Sequence, residues 1–251
     1  FSGSPMPMDQ LRDALDVFGP ILIALLGMTE TSSAGTLMPM EDTVAEAYRT
    51  GPDAPSLCSI GRAMCSVELR LLDEQGQDVA FANDRKGKEA VGEIAYRSDV
   101  LMKGYWKRPE ATAEVFSEDG WFRSGDIAYF DDRGFLYVVD RKKDMIISGG
   151  INVYPREIES CLYQHPAVED VAVIGVPNEE WGETIKAVVV RKSGASCTEE
   201  EVIAYCREHL ASYKKPTSID FIDEMPRNAT GKILKRHLRE RYWGDRREQV
   251  Y

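Results

Sequence analysis

Residues 140–155 read Asp140-Arg141-Lys142-Lys143-Asp144-Met145-Ile146-Ile147-Ser148-Gly149-Gly150-Ile151-Asn152-Val153-Tyr154-Pro155. Charged side chains at 140–144 stand between two apolar strands, so this run is the expected linker between two domains. The paired glycines permit a turn with positive φ. Pro155 is placed to open a helix, because a first-turn N–H lacks an intrahelical partner in any case.

Downstream of the linker, Ile158 and Leu162 mark the apolar side of that helix. Two apolar strands follow, Val171 to Val176 and Ile185 to Val190, and then Thr198-Glu199-Glu200-Glu201, a capping box before a helix over Val202 to Leu210. A strand at Ser218 to Ile222, a loop from Pro226 to Lys232 and a final helix complete a β-α-β-β-α-β-α order, which predicts a compact α+β domain over 145–251. Upstream, residues 1–36 predict a helix from Met8 to Phe18 (Leu11, Leu15 and Phe18 at helical spacing), a strand from Ile21 to Leu26 and a polar loop. Residues 37–139 read mainly as strands and turns, a β-rich subdomain punctuated at Asp73-Glu74-Gln75-Gly76 and Asp131-Asp132-Arg133-Gly134. The expected fold class is therefore mixed α+β, with a first domain over 1–139, a hinge at 140–144 and a smaller domain over 145–251.

The chain has 251 residues, 43% of them apolar and 29% charged, which is globular rather than disordered or fibrous composition. A net charge of −11 argues against a nucleic-acid binder or a basic membrane-surface protein. Cys58, Cys65, Cys161, Cys197 and Cys206 are odd in number and form no C-x-x-C, so no disulfide framework or zinc site is expected, and a reducing cytoplasm fits. The longest apolar run, Ile21 to Leu26, is far short of the ~20 residues of a membrane helix. The chain opens on Phe1 in what reads as mid-element sequence, which predicts a piece of a longer protein.

Four segments can carry chemistry. Gly27-Met28-Thr29-Glu30-Thr31 follows a buried-type strand, where α/β sheets place ligand groups. Thr29 can donate to a phosphoryl oxygen and Glu30 can hold a hard cation; a turn cluster is the alternative. In Gly120-Trp121-Phe122-Arg123-Ser124-Gly125-Asp126, the Asp126 carboxylate can accept two sugar hydroxyls, and Arg141 can reach the same sugar or a phosphate. Each is otherwise a turn residue or a solvated charge. Pro226-Arg227-Asn228-Ala229-Thr230-Gly231-Lys232 offers a lysine after a flexible turn, at the start of a helix, able to meet a polyanionic reaction centre; a solvated first-turn lysine is the alternative. Pro226 and Ile233 exclude a phosphate-cradling P-loop there. Gly149-Gly150 permits close approach of a ligand to the backbone, or simply a tight turn.

Taken in order, these segments resemble the adenylate-forming superfamily, specifically AMP-dependent acid–CoA ligases. Gly92-Glu93-Ile94 through Met102-Lys103-Gly104-Tyr105-Trp106 and Gly149 to Pro155 extend the likeness over essentially the whole chain. The resemblance implies a carboxylic acid, ATP and coenzyme A as substrates and magnesium as cofactor. It implies Thr29 at the α-phosphate, Glu30 as magnesium ligand, Asp126 and Arg141 at the ribose, Lys143 as hinge and Lys232 as the lysine of adenylation. Gly27 and Met28 fall in the nucleotide motif, Gly3 and Ser4 in the segment lining the adenine and acyl pockets, and Gly149 and Gly150 along the pantetheine tunnel.

Two departures stand out. Leu26 replaces the aromatic residue that usually packs on adenine. The lysine-bearing Ser/Thr/Gly-rich loop that grips the β- and γ-phosphates is absent from these residues, so the resemblance implies a partial chain that is inactive by itself. A non-catalytic AMP- or CoA-binding half and a peptide-synthetase adenylation domain are the alternatives. The chain ends 19 residues after Lys232, which favours CoA as acceptor. The acyl group can be fatty or aromatic.

Overall fold

The computed structural model describes residues 1–3, 6–49, 58–79, 90–229 and 231–244. The chain divides into two compact units, Phe1–Lys142 and Lys143–Tyr251.

In the first unit, helix α1 (Met8–Phe18) buries Met8, Leu11 and Leu15 and stops at Gly19, whose φ of 76° no helix continues. Phe18 was expected on the buried face, yet it is 63% exposed, because the helix ends there and the chain turns away. Strand β1 (Ala24–Leu26) pairs antiparallel with β2 (Thr36–Met38), and β2 with β3 (Arg62–Ala63). Helix α2 (Met40–Ala47) follows Pro39, and helix α3 (Pro109–Val115) starts on a proline. Both helices interrupt a zone read as strands and turns, although proline at a helix start was the available signal. Strands β4 (Glu68–Leu72), β5 (Gly92–Arg97), β6 (Phe122–Phe130) and β7 (Leu136–Arg141) form an antiparallel sheet in sequence order. Its core includes Leu71, Ile94, Tyr96, Phe122 and Leu136. Asp140 and Arg141, read as linker from their charge, are the last two residues of β7, and Asp140 is buried.

The second unit begins with the hairpin β8 (Ile146–Ser148) and β9 (Ile151–Val153), turned by Gly149 and Gly150 with φ of 57° and 78°. Positive φ at both central residues is the requirement of the turn that matches strand twist. Strand β9 is an element the sequence reading did not separate. Helix α4 (Pro155–Leu162) starts at its proline, as expected. The long hairpin β10 (Val168–Asn178) and β11 (Gly182–Arg191) belongs to a five-stranded sheet in which β10 is an edge and β11 pairs with β10, with β8 and, in parallel, with β12 (Ser218–Phe221). Helix α5 (Glu199–His209) carries the expected capping box: Thr198 Oγ1 accepts from Glu201 N–H, and Glu201 accepts from Thr198 N–H at 2.8 Å. Helix α6 (Lys235–Trp243) is last.

Alternation along β10 explains its unbroken apolar run. Val171 and Val173 share a core with Ile158, Leu162, Val202 and Cys206 of α4 and α5, whereas Ala172, Ile174 and Val176 share one with Leu238 of α6. A strand buried on both faces has no polar position to offer.

Candidate active site

In the first unit, the turn after β1 requires its glycine. A Cβ on Gly27 would lie 2.3 Å from the Ser33 carbonyl oxygen, inside contact distance of backbone that cannot yield. The chain then makes a single 3-10 turn, Thr29–Thr31, closed by Met28 N–H donating to Thr31 Oγ1 at 3.1 Å. This leaves Thr29 exposed and Glu30 half-buried. Glu30 is fixed twice: its carbonyl accepts from Met102 N–H at 2.7 Å, and its carboxylate accepts the Tyr105 hydroxyl at 3.0 Å. Partial burial, reinforced by that carboxylate, raises the Tyr105 pKa above its ordinary value, so the phenol remains a donor.

Asp126 lies on β6 directly across from Arg141 on β7, and its carboxylate meets Arg141 Nε at 3.2 Å. The carboxylate side is buried, with Asp126 5% exposed, while Arg141 is open to solvent. Gly125, at φ 75°, and the Ser124 hydroxyl, accepting from Asp126 N–H at 3.1 Å, set the bend that presents it. Met28, Glu30, Tyr105, Gly125, Arg141 and Lys142 line one cleft of about 350 Å³. The structure therefore gathers the first two predicted segments, about a hundred residues apart in sequence, at one place. Beside β1, Leu25 N–H donates to the Phe1 carbonyl at 3.0 Å, which brings Gly3 (φ 87°) near the same strand. Ser4 lies outside the described residues.

Two residues of this site were quoted from sequence only as part of the likeness, with no role given. Tyr105 holds Glu30. Glu93, which also lines the cleft, accepts Arg123 at 2.8 Å, Lys142 Nζ at 3.1 Å and Gly125 N–H at 3.1 Å. A glutamate between glycine and isoleucine in a strand was the available signal, since an unpaired charge there is too costly to bury.

In the second unit, Lys232 sits on a tight turn rather than in the first turn of a helix. Lys232 N–H donates to Asn228 Oδ1 and Asn228 N–H to the Lys232 carbonyl, both at 2.9 Å, and α6 begins three residues later. The Lys232 side chain is exposed. Gly149 cannot be replaced without strain: its Cβ would sit 2.5 Å from the Trp181 ring, and its N–H donates to the Trp181 carbonyl at 2.9 Å. Lys143 lies in the 3-10 turn Lys142–Asp144, at the start of the second unit.

Residues 1–106 match the family model for the AMP-binding enzyme, and residues 157–232 match that for the AMP-binding enzyme C-terminal domain. The chain belongs to the adenylate-forming superfamily. It is 44% identical to a long-chain-fatty-acid–CoA ligase of Mycobacterium tuberculosis over 240 residues, covering 96% of this chain and 44% of that protein. A feruloyl-CoA synthase of Amycolatopsis is equally similar, 44% identical, with 96% of this chain and 45% of the relative covered. Among solved structures, ATP-bound MatB from Rhodopseudomonas palustris superposes with a TM-score of 0.82 at 36% identity, over 97% of this chain and 45% of that one. The chain thus spans somewhat under half the length of these relatives.

The matched family is named for AMP, and magnesium was the expected companion of the nucleotide. Among the described residues no group of three or more His, Cys, Asp and Glu is arranged as a metal cage. Magnesium does not need one, since one or two carboxylates plus substrate phosphates complete its shell. Glu30, half-buried and oriented by Tyr105 at the cleft, fits that donor set.

Proposed function

We propose that these residues serve an acid–CoA ligase, which joins a carboxylic acid to coenzyme A at the expense of ATP through an acyl-adenylate. In the first step a carboxylate oxygen attacks the α-phosphorus of ATP and pyrophosphate leaves. In the second the CoA thiol loses its proton, its sulfur attacks the acyl carbonyl, and AMP leaves. The cleft that gathers Met28, Glu30, Gly125 and Arg141 beside the Asp126 carboxylate is the observation that carries this reading.

Within it, Asp126 accepts the ribose hydroxyls while Arg141 neutralises it and reaches the sugar or phosphate. Thr29, exposed on its turn, donates to the α-phosphate. Glu30, with the substrate phosphates, would hold magnesium, which would supply charge neutralisation where pyrophosphate departs. Lys232 adds a mobile positive charge to the same centre during adenylation. The turn at Lys143 is the pivot that withdraws Lys232 and brings Gly149 and Gly150 to the pantetheine arm of CoA. Free thiols at all five cysteines suit a cytoplasmic enzyme. Among the described residues no helix is long and apolar enough to cross a membrane. The relatives' names span fatty and aromatic acids at equal identity, so overall identity favours neither acyl class.

Lys232→Ala tests the division of labour, in the protein completed by the upstream half of a relative. Adenylation, read as pyrophosphate exchange, is expected to fall by about 10²-fold or more, as for loss of one charge-stabilising donor. Thioester formation from supplied acyl-AMP is expected to persist. Survival of both steps would remove Lys232 from the chemistry.

A further inference from the structure

Resting on the ligase reading, we propose that Arg239 is a positioning residue: it braces the second-unit side of the pivot, opposite a Glu93–Lys142 grip on the first-unit side, and so confines domain rotation to Lys143.

The chain before the pivot is held by strand β7, whose last residue, Arg141, is in register with Asp126. The next residue, Lys142, is tied by its ammonium to the buried Glu93 at 3.1 Å. After the pivot, one guanidinium takes three partners. Arg239 Nη1 donates to the Lys143 carbonyl at 3.3 Å, while Nη2 donates to the Asp144 carbonyl at 3.4 Å and to the Asp144 carboxylate at 2.9 Å. The Arg239 and Asp144 side chains are largely shielded, so solvent screens this pair little. Strand β8 follows at once, with Ile147 N–H donating to Glu183 Oε2 at 3.3 Å. Between the two grips lies the backbone of Lys143, whose side chain is exposed.

Position in the fold gives Arg239 a second consequence. It lies on α6, next to the fully buried Leu238 that seats this helix on the sheet, and the helix follows the Lys232 turn directly. Holding the carbonyls of Lys143 and Asp144 to α6 makes the pivot and the Lys232 turn parts of one rigid piece. Rotation at one residue then carries Gly149 and Gly150 through a defined arc into the thioester-forming position; a loose pivot would slow that turn. Rotation confined to a few element-terminal residues is how hinged domains work. A planar guanidinium fork can grip two carbonyls and a carboxylate together, which a single ammonium cannot.

Two measurements on Arg239→Gln test this, with the exposed Arg207→Gln as control. In the 251-residue protein, amide hydrogen exchange over 142–148 is expected to rise about tenfold in Arg239→Gln. Arg207→Gln should match the unsubstituted protein, and Arg239→Lys should fall between. In the protein completed with the upstream half of a relative, acyl-CoA turnover is expected to drop about tenfold while pyrophosphate exchange stays within about twofold. Unchanged exchange over 142–148 overturns the brace. So does an equal fall in turnover and pyrophosphate exchange, since a merely structural role weakens both alike. Absence of both reactions in the unsubstituted protein would instead sink the ligase reading, and the amide-exchange result then decides the brace alone.

Discussion

The Glu93 carboxylate is 6% exposed and takes the Arg123 guanidinium, the Lys142 ammonium and the Gly125 N–H. Arg123 approaches from the neighbouring strand β6 and Lys142 from just past the end of β7, so one buried charge fixes both the bend before Asp126 and the chain leaving β7. Glu93→Gln keeps the shape and removes the charge. The bonds from the two cations then lose their ionised acceptor, and stability is expected to fall by about 2 kcal/mol. The urea midpoint, at constant slope, reads this directly; an unchanged midpoint would mean that the cations are as well satisfied by water. Asp126 was given a role from sequence because it follows Gly125 in a segment with that role in the likeness. Glu93 was quoted in the likeness without a role, because what it does depends on partners 30 and 49 residues away.

Among the elements, α5 is the one whose boundaries follow most directly from local chemistry. The reciprocal Thr198–Glu201 bonds satisfy two N–H groups that the helix leaves orphaned, and three acidic residues oppose the positive end of its dipole. Thr198→Ala is expected to lower stability by about 1 kcal/mol, with the loss of amide protection confined to the first turn of α5. Protection lost throughout the unit would place the cap in a cooperative role beyond the helix. The prolines that open α3 and α4 act by the same local logic. Strand limits were harder to read: pairing begins at Ala24 rather than Ile21 and extends β10 to Asn178, because a strand ends where its partner ends.

At the scale of the molecule, the second unit has apolar cores on both faces of its own sheet. Residues 143–251 produced alone are expected to unfold in one cooperative transition; a broad, non-cooperative melt would show that this core is incomplete. The 251-residue chain as a whole covers less than half of the length of its relatives. By itself it is expected to show no pyrophosphate exchange at the rate of a complete ligase, and exchange at that rate would overturn the reading.

The sequence by itself determined the family, the α+β class and the capped and proline-led helices, and it offered the segments at Gly27–Glu30, Asp126, Arg141 and Lys232 as candidates. These rest on short spacings and on residue types whose backbone preferences are local: glycine for positive φ, proline for a first turn, threonine and glutamate for a cap. Only the tertiary structure decided that the Glu30 and Arg141 segments line one cleft, that Tyr105 and Glu93 complete it, and that Arg239 grips the chain at Lys143 and Asp144. Each of those is a meeting of side chains far apart in sequence. Such meetings follow from strand register and from helix seating on a sheet, which the whole core sets together.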